Sequence, residues 1–207
     1  MNNSVGVGLT SPNSQTNKNQ DLNAMLEQSG KLHRHICPRQ VLGARMGLLA
    51  GQRLGLELPR SDKRLLVLTE TDGCFADGLS VATGCWLGRR TLRLMDYGKV
   101  AATFIDTRSS LAIRIAPHPE ARANARALFP YLSKWSAYLE GYKVLPDSEL
   151  LVLQAVNLTF SLERLISQAG ARVTCETCFE EILNGREVLQ GGKVLCQSCA
   201  GDSYWAV

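Results

Sequence analysis

Between residues 39 and 54 the apolar positions Val41, Leu42, Met46, Leu49 and Ala50 recur at helical spacing, which predicts an amphipathic helix. Pro38 suits its first turn, where a missing N–H costs nothing. Residues 64–70 (R-L-L-V-L-T-E) are instead a continuous apolar run of strand length, closed by the turn Thr71-Asp72-Gly73-Cys74. Residues 77–83 read as a helix that stops at Gly84-Cys85. Residues 99–105 and 111–115 alternate as strands do and are placed to pair across residues 106–110. The Ala- and Arg-rich run 120–139 predicts a helix interrupted or kinked near Pro130. Asp147 or Ser148 can cap a further helix reaching about residue 166, and a short helix is expected at 21–28, ending at Gly30. There is no internal repeat. Helices and strands that do not alternate point to an α+β main domain.

Three segments follow from this pattern. Residues 1–24 are rich in Asn, Ser, Gln, Thr and Gly and lack the basic start and apolar centre of a signal peptide, so a disordered tail is expected. Residues 25–168 form the α+β domain, and Gly170 marks the passage to a small module over 169–207. No apolar stretch approaches the length of a membrane span. With 207 residues, 45% of them apolar, the chain can bury a substantial core. The net charge of only +4 does not suit a chain built as a whole for nucleic acid. Cations do cluster locally, since Lys31, Arg34, Arg39, Arg45, Arg53 and Arg60 face only Glu57 in their stretch. Such a cluster is either a solvated helix face or an anion-binding rim.

The seven cysteines carry the chemistry. Cys175, Cys178, Cys196 and Cys199 form two C-x2-C units separated by a 17-residue spacer. Two thiolates three residues apart grip one ion from a tight turn, and two such turns complete a tetrahedral site. Gln190-Gly191-Gly192-Lys193 reads as the hairpin turn between them. Four protein ligands leave no position for chemistry, so the expected ion is a structural zinc in a zinc ribbon. Glu176, Glu180, Glu181 and Glu187 outnumber Arg186 and Lys193, which makes nucleic acid an unlikely partner for this module. The apolar end 204–207 is suited to packing on the main domain or a neighbouring chain. The three remaining cysteines, in a chain without a disulfide framework, point to a reducing cytoplasm.

A second constellation precedes the first long helix. His33, His35 and Cys37 alternate, so an extended backbone turns all three side chains to one face. Cys37 stands at a helix entrance, where backbone N–H groups favour a thiolate. Imidazole and thiolate make a metal site, or equally a nucleophile and its base. Cys74 lies in a turn after a buried strand, flanked by Asp72 and Asp77. Cys85 is more simply a small buried hydrophobe, and His118, between Pro117 and Pro119, a turn residue.

The runs H-R-H-I-C-P (33–38), G-A-R-M-G (43–47), E-T-D-G-C-F-A-D-G-L-S-V-A-T-G-C (70–85) and D-Y-G-K-V-A-A-T-F (96–104) together resemble the FmdE family, named for a component of formylmethanofuran dehydrogenase, over about residues 25–165. The resemblance implies an α+β domain, commonly dimeric, with a pocket built from the H-x-C-P loop and the D-G-C turn. It implies that His35, Cys37 and Cys74 are metal-ligand or catalytic residues, with Cys85 as a secondary pocket residue. Where the family usually has a glycine after Cys-Pro, this chain has Arg39, which narrows the approach or offers a cation to an anionic ligand.

These readings give two expected functions. In one, a second divalent ion, with zinc the first choice, sits at His35, Cys37 and Cys74 in an accessory protein that handles metal or cofactor for a larger molybdenum- or tungsten-type oxidoreductase. In the other, the protein is a stand-alone metal-dependent enzyme acting on a small anionic or carbonyl substrate. Asp72 or Asp77 would then be the general base, and Arg39 or Arg45 would hold the anionic group. The chain has no ferredoxin-type cysteine run and no Gly-rich nucleotide loop, so it does not carry the dehydrogenase chemistry itself.

Overall fold

The computed structural model describes residues 12–166 and 170–206. They fall into two compact units, one ending at Asn157 and the other beginning at Leu158.

The first unit runs α1 (Pro12–His33), α2 (Pro38–Leu54), β1 (Leu65–Thr69), α3 (Cys74–Thr83), β2 (Leu92–Leu94), β3 (Ala102–Asp106) and β4 (Ala112–Pro117). It continues through α4 (Ala121–Leu128), α5 (Lys134–Val144), α6 (Asp147–Leu150) and β5 (Leu151–Ala155). The sheet order is β2-β1-β3-β4-β5. β1 and β2 are parallel, joined through α3, and the other pairs are antiparallel. The result is the mixed helix-and-sheet domain that the pattern predicts. β1 and β3 are buried along their whole length, which is why residues 64–70 read as an unbroken apolar run rather than an alternating one.

Differences from the sequence reading have physical causes. α1 begins at Pro12, inside the stretch expected to be tail, and Leu22 is buried in the core; residues 1–11 lie outside the described residues. The run 120–139 is two helices, because the chain turns back at Pro130 and Ser133 caps α5 by accepting the Ser136 N–H. The helix expected from 147 to 166 stops after one turn. Leu151 to Ala155 pair with β4 instead, since an apolar run beside an open sheet edge gains more as a strand.

α2 and α3 lie nearly backbone to backbone. A Cβ on Gly47 would sit 2.6 Å from that of Ala82, and methyl groups on Gly43 or Gly78 would collide with the backbone of α3 or with that of Gln40. Contacts advance in the same direction along both helices, so the two run parallel with their N-termini side by side. Around them Val41, Met46, Phe75, Leu79, Phe104 and Ile115 are fully buried, each worth about 1.5–3 kcal/mol of transfer free energy. Two bidentate ion pairs pin the sheet: Arg64 to Asp106 at 2.9 and 3.0 Å, and Arg114 to Glu70 at 2.6 and 2.8 Å.

The second unit holds α7 (Leu162–Ile166) and two hairpins, β6 (Arg172–Thr174) with β7 (Glu181–Leu183), and β8 (Val188–Gln190) with β9 (Lys193–Leu195). Gly191 and Gly192 both have positive φ, as a two-residue hairpin turn requires, so the turn read at 190–193 is present. No helix among the described residues is long and apolar enough to cross a membrane.

Candidate functional site

In the second unit the sulfurs of Cys175, Cys178, Cys196 and Cys199 all lie within 4.8 Å of one another. A regular tetrahedron of sulfurs about 2.3 Å from a zinc ion has edges of about 3.8 Å, and the Cys178 and Cys196 sulfurs are 3.9 Å apart. The donor set and spacing therefore fit a structural zinc held by four cysteines. Backbone amides prepare it. The Cys196 N–H donates to the Cys175 sulfur at 3.3 Å, and the Cys199 N–H to that of Cys196 at 3.4 Å. Amides at Cys178 and Cys196 draw the Cys175 thiol down to about 6, whereas crowding by the Cys196 sulfur pushes Cys199 up to about 12. Without a cation the cluster holds one easy negative charge and resists the rest.

In the first unit, Cys37 is the N-cap of α2 and Cys74 the first residue of α3. Gln40, itself fully buried, accepts the Cys37 N–H at 2.6 Å and donates to Ser29 on α1, which locks the α2 entrance. Gly73 caps α3 at φ 72°, ψ −153°, a conformation open to glycine alone. The close helix packing then sets the two sulfurs against each other. Burial pushes the Cys74 thiol up, and the adjacent Cys37 sulfur pushes it further.

Both cysteines face a cavity of about 740 Å³. Pro38, Arg39 and Leu42 extend its wall along α2, Lys99 and Val100 enter from the loop before β3, and Pro117, His118 and Pro119 come from the end of β4. The α4–α5 hairpin closes it with Ala121 and Arg122 and an aromatic wall of Trp135, Tyr138 and Tyr142. The Tyr138 and Tyr142 rings stack at 5.9 Å. Burial raises the Tyr142 hydroxyl, which Arg122 hydrogen-bonds.

The structure therefore brings together Cys37, Cys74 and Arg39. It does not bring the other sequence-derived residues to them. His35 is exposed in the loop before α2, and Asp72 is exposed in the turn before α3. Among the described residues, three or more metal-binding side chains converge within 4.8 Å only in the four-cysteine cluster. Arg45 points away from the cavity. It donates to the Tyr142, Lys143 and Leu145 carbonyls and to Asp147 at 2.7–3.1 Å, capping the C-terminus of α5. Cys85 is 1% exposed, with its thiol on the Leu65 carbonyl at 3.4 Å and pushed up by burial; it is a core residue.

Lys99, Arg122 and the aromatic wall carry no mark of a site in the sequence, although Lys99 lies inside the D-Y-G-K block. His118, which reads from the sequence as a turn residue, lines the cavity as well. The two prolines beside it are the available signal, because they fix a backbone that holds the imidazole there.

Residues 32–173 match the family described as FmdE, Molybdenum formylmethanofuran dehydrogenase operon. The chain belongs to the FmdE family. A relative in Archaeoglobus fulgidus, described as a "Probable S-adenosyl-L-methionine-binding protein", is 29% identical over 218 aligned positions. That alignment covers 93% of this chain and 57% of the relative, so the chain spans little more than half of the relative's length. Among solved structures, an FmdE-like protein of tungsten formylmethanofuran dehydrogenase from Syntrophus aciditrophicus superposes with a TM-score of 0.58 at 23% identity, covering 89% of this chain and 95% of that one. At that identity the likeness establishes the FmdE fold alone.

Proposed function

We propose that this FmdE-family chain binds a second metal ion, zinc in the first instance, at the Cys37–Cys74 pair. In this reading it serves as an accessory protein that handles metal or cofactor for a molybdenum- or tungsten-type oxidoreductase. The observation that carries the reading is the meeting of two helix N-termini, each presenting a cysteine sulfur to one cavity. Thiolates so placed gain from the helix dipoles and from a nearby cation, which offsets the burial that holds Cys74 protonated. Two thiolates are soft ligands, and His35, two residues before Cys37, is the third donor in reach of the same loop. The family's operon description supports an oxidoreductase partner, and we place the protein in the cytoplasm as a homodimer.

A stand-alone enzyme acting on an anionic or carbonyl substrate is the second reading. The size and cationic lining of the cavity favour it. The absence of Asp and Glu from the described lining tells against it, since no carboxylate stands ready as a general base.

The test is metal content per chain by plasma mass spectrometry on the full-length protein, on C37A/C74A and on C175A/C178A. Two ions in the parent, with one lost in each variant, support the second site. One ion in the parent, unchanged by C37A/C74A, removes it.

A further inference from the structure

The charge distribution around the cavity is not that of the rest of the domain. Arg45, Arg60, Arg64 and Arg114 each pair with a carboxylate at 2.6–2.9 Å. Arg39, Lys99 and Arg122 have no carboxylate partner among the described residues, yet all three line one cavity with no acid in its described wall. Gathering three like charges is unfavourable in the empty domain and becomes favourable when an anion joins them.

His118 adds a fourth donor. Its Nδ1 accepts the Glu120 N–H at 3.1 Å. An amide can only donate, so the proton of the neutral ring sits on Nε2. In that tautomer His118 offers a hydrogen-bond donor rather than a metal-ligating lone pair. Its backbone is also fixed, since its N–H donates to the Leu150 carbonyl at 2.8 Å and its own carbonyl accepts from Ala121 at 2.9 Å.

Size and wall chemistry narrow the ligand. A cavity of about 740 Å³ lies in the range that encloses an organic molecule of cofactor size, far more than an isolated oxyanion fills. Opposite the cations stand Trp135, half exposed at 51%, and Tyr138. These are surfaces on which a planar ring stacks.

We propose that this cavity binds an organic anion carrying a planar heteroaromatic ring, with the anionic group held by Arg39, Lys99, Arg122 and His118 and the ring laid on Trp135 and Tyr138. This deepens the proposed function, because it rests on the same cavity and sets the ligand beside the thiol pair. Arg39, standing where the family usually has glycine, then becomes a specificity residue of this particular chain.

The test is calorimetric titration of the full-length protein, with and without added zinc, using four probes. AMP has ring and phosphate, adenosine has the ring alone, inorganic phosphate has the anion alone, and S-adenosyl-L-methionine has the ring with a sulfonium cation. AMP is expected to bind saturably, at least about tenfold tighter than adenosine or S-adenosyl-L-methionine, which corresponds to about 1.4 kcal/mol. Affinity should fall as salt is raised. R39Q/R122Q, at exposed positions, should lower AMP affinity about tenfold while metal content stays at the parent value. W135A should weaken AMP but leave phosphate binding unchanged. Equal binding of adenosine and AMP, tighter S-adenosyl-L-methionine binding that R39Q/R122Q does not touch, or no saturable AMP binding would each overturn the proposal. C37A/C74A separates the two readings. If it loses metal and keeps AMP, both stand; if the parent binds AMP with no cavity metal at all, only the metal site fails.

Discussion

Gly78 of α3 lies against the backbone of Gln40 in α2 with no room between them for a methyl group, and Gln40 in turn holds the Cys37 amide. The contact that packs the two helices thus also sets where the first cysteine stands relative to the second. A Gly78→Ala change must push α3 away from rigid backbone. We expect it to cost about 2–3 kcal/mol in urea unfolding and to abolish metal binding at Cys37 and Cys74 while sparing the ion of the four-cysteine cluster. A variant with parent stability and two metals would show that the helices have slack the packing does not suggest.

Arg45 does for α5 what a glycine cap does elsewhere, by satisfying the carbonyls of Tyr142, Lys143 and Leu145 together. Lysine cannot reproduce that fork. Arg45→Lys should destabilise the domain by about 2 kcal/mol, seen as a lower denaturant midpoint. An unchanged midpoint would mean that water replaces the guanidinium without loss.

The Asp106 carboxyl is held well below the usual range, first by its hydrogen bonds from Arg64 and then by Ser109 and the Arg108 N–H. A depressed folded-state value makes Asp106 stabilising above the unfolded value of about 3.9, and that contribution is lost as pH falls further. Asp106→Asn should therefore be about 2 kcal/mol less stable at pH 7, with the gap closing as both proteins are acidified below about pH 4. Parallel stability curves down to pH 2 would contradict this.

Zinc entering the four-cysteine cluster must displace protons from Cys178 and Cys199, both raised above the usual thiol range, whereas Cys175 sits at about 6. At pH 7 Cys175 is already mostly thiolate. Competition against a chromophoric chelator should show apparent affinity falling as pH drops, with the slope steepening by one proton below about pH 6 as Cys175 also binds its proton. A pH-independent affinity would show that the cluster is fully ionised before zinc arrives.

The two centres differ in how far the sequence could disclose them. Cys175, Cys178, Cys196 and Cys199 are held by short turns, so their spacing is the geometry, and Gly191-Gly192 names the hairpin between them. β1, α2 and the β3–β4 pair were legible for a similar reason, since burial along one element writes its own period. The cavity depends instead on where distant elements come to rest. Nothing near Cys37 signals that α5 folds back after Pro130 to bring Trp135 and Tyr138 opposite it, and the strand at Leu151–Ala155 exists only because β4 offers an edge. Charge alone could not show that Arg45 caps a helix while Arg39 faces the cavity.

That separation makes the cavity a folding reporter. Its wall draws on residues from Cys37 to Tyr142, so it is present only when helices, sheet and hairpin have all assembled, and any ligand it holds is linked to the cooperative unfolding of the entire first unit. Zinc in the ribbon is linked only to some two dozen consecutive residues. A cavity ligand should raise the melting temperature of the first unit in proportion to the logarithm of its concentration, while zinc removal registers as local opening that the first unit's melting transition does not see.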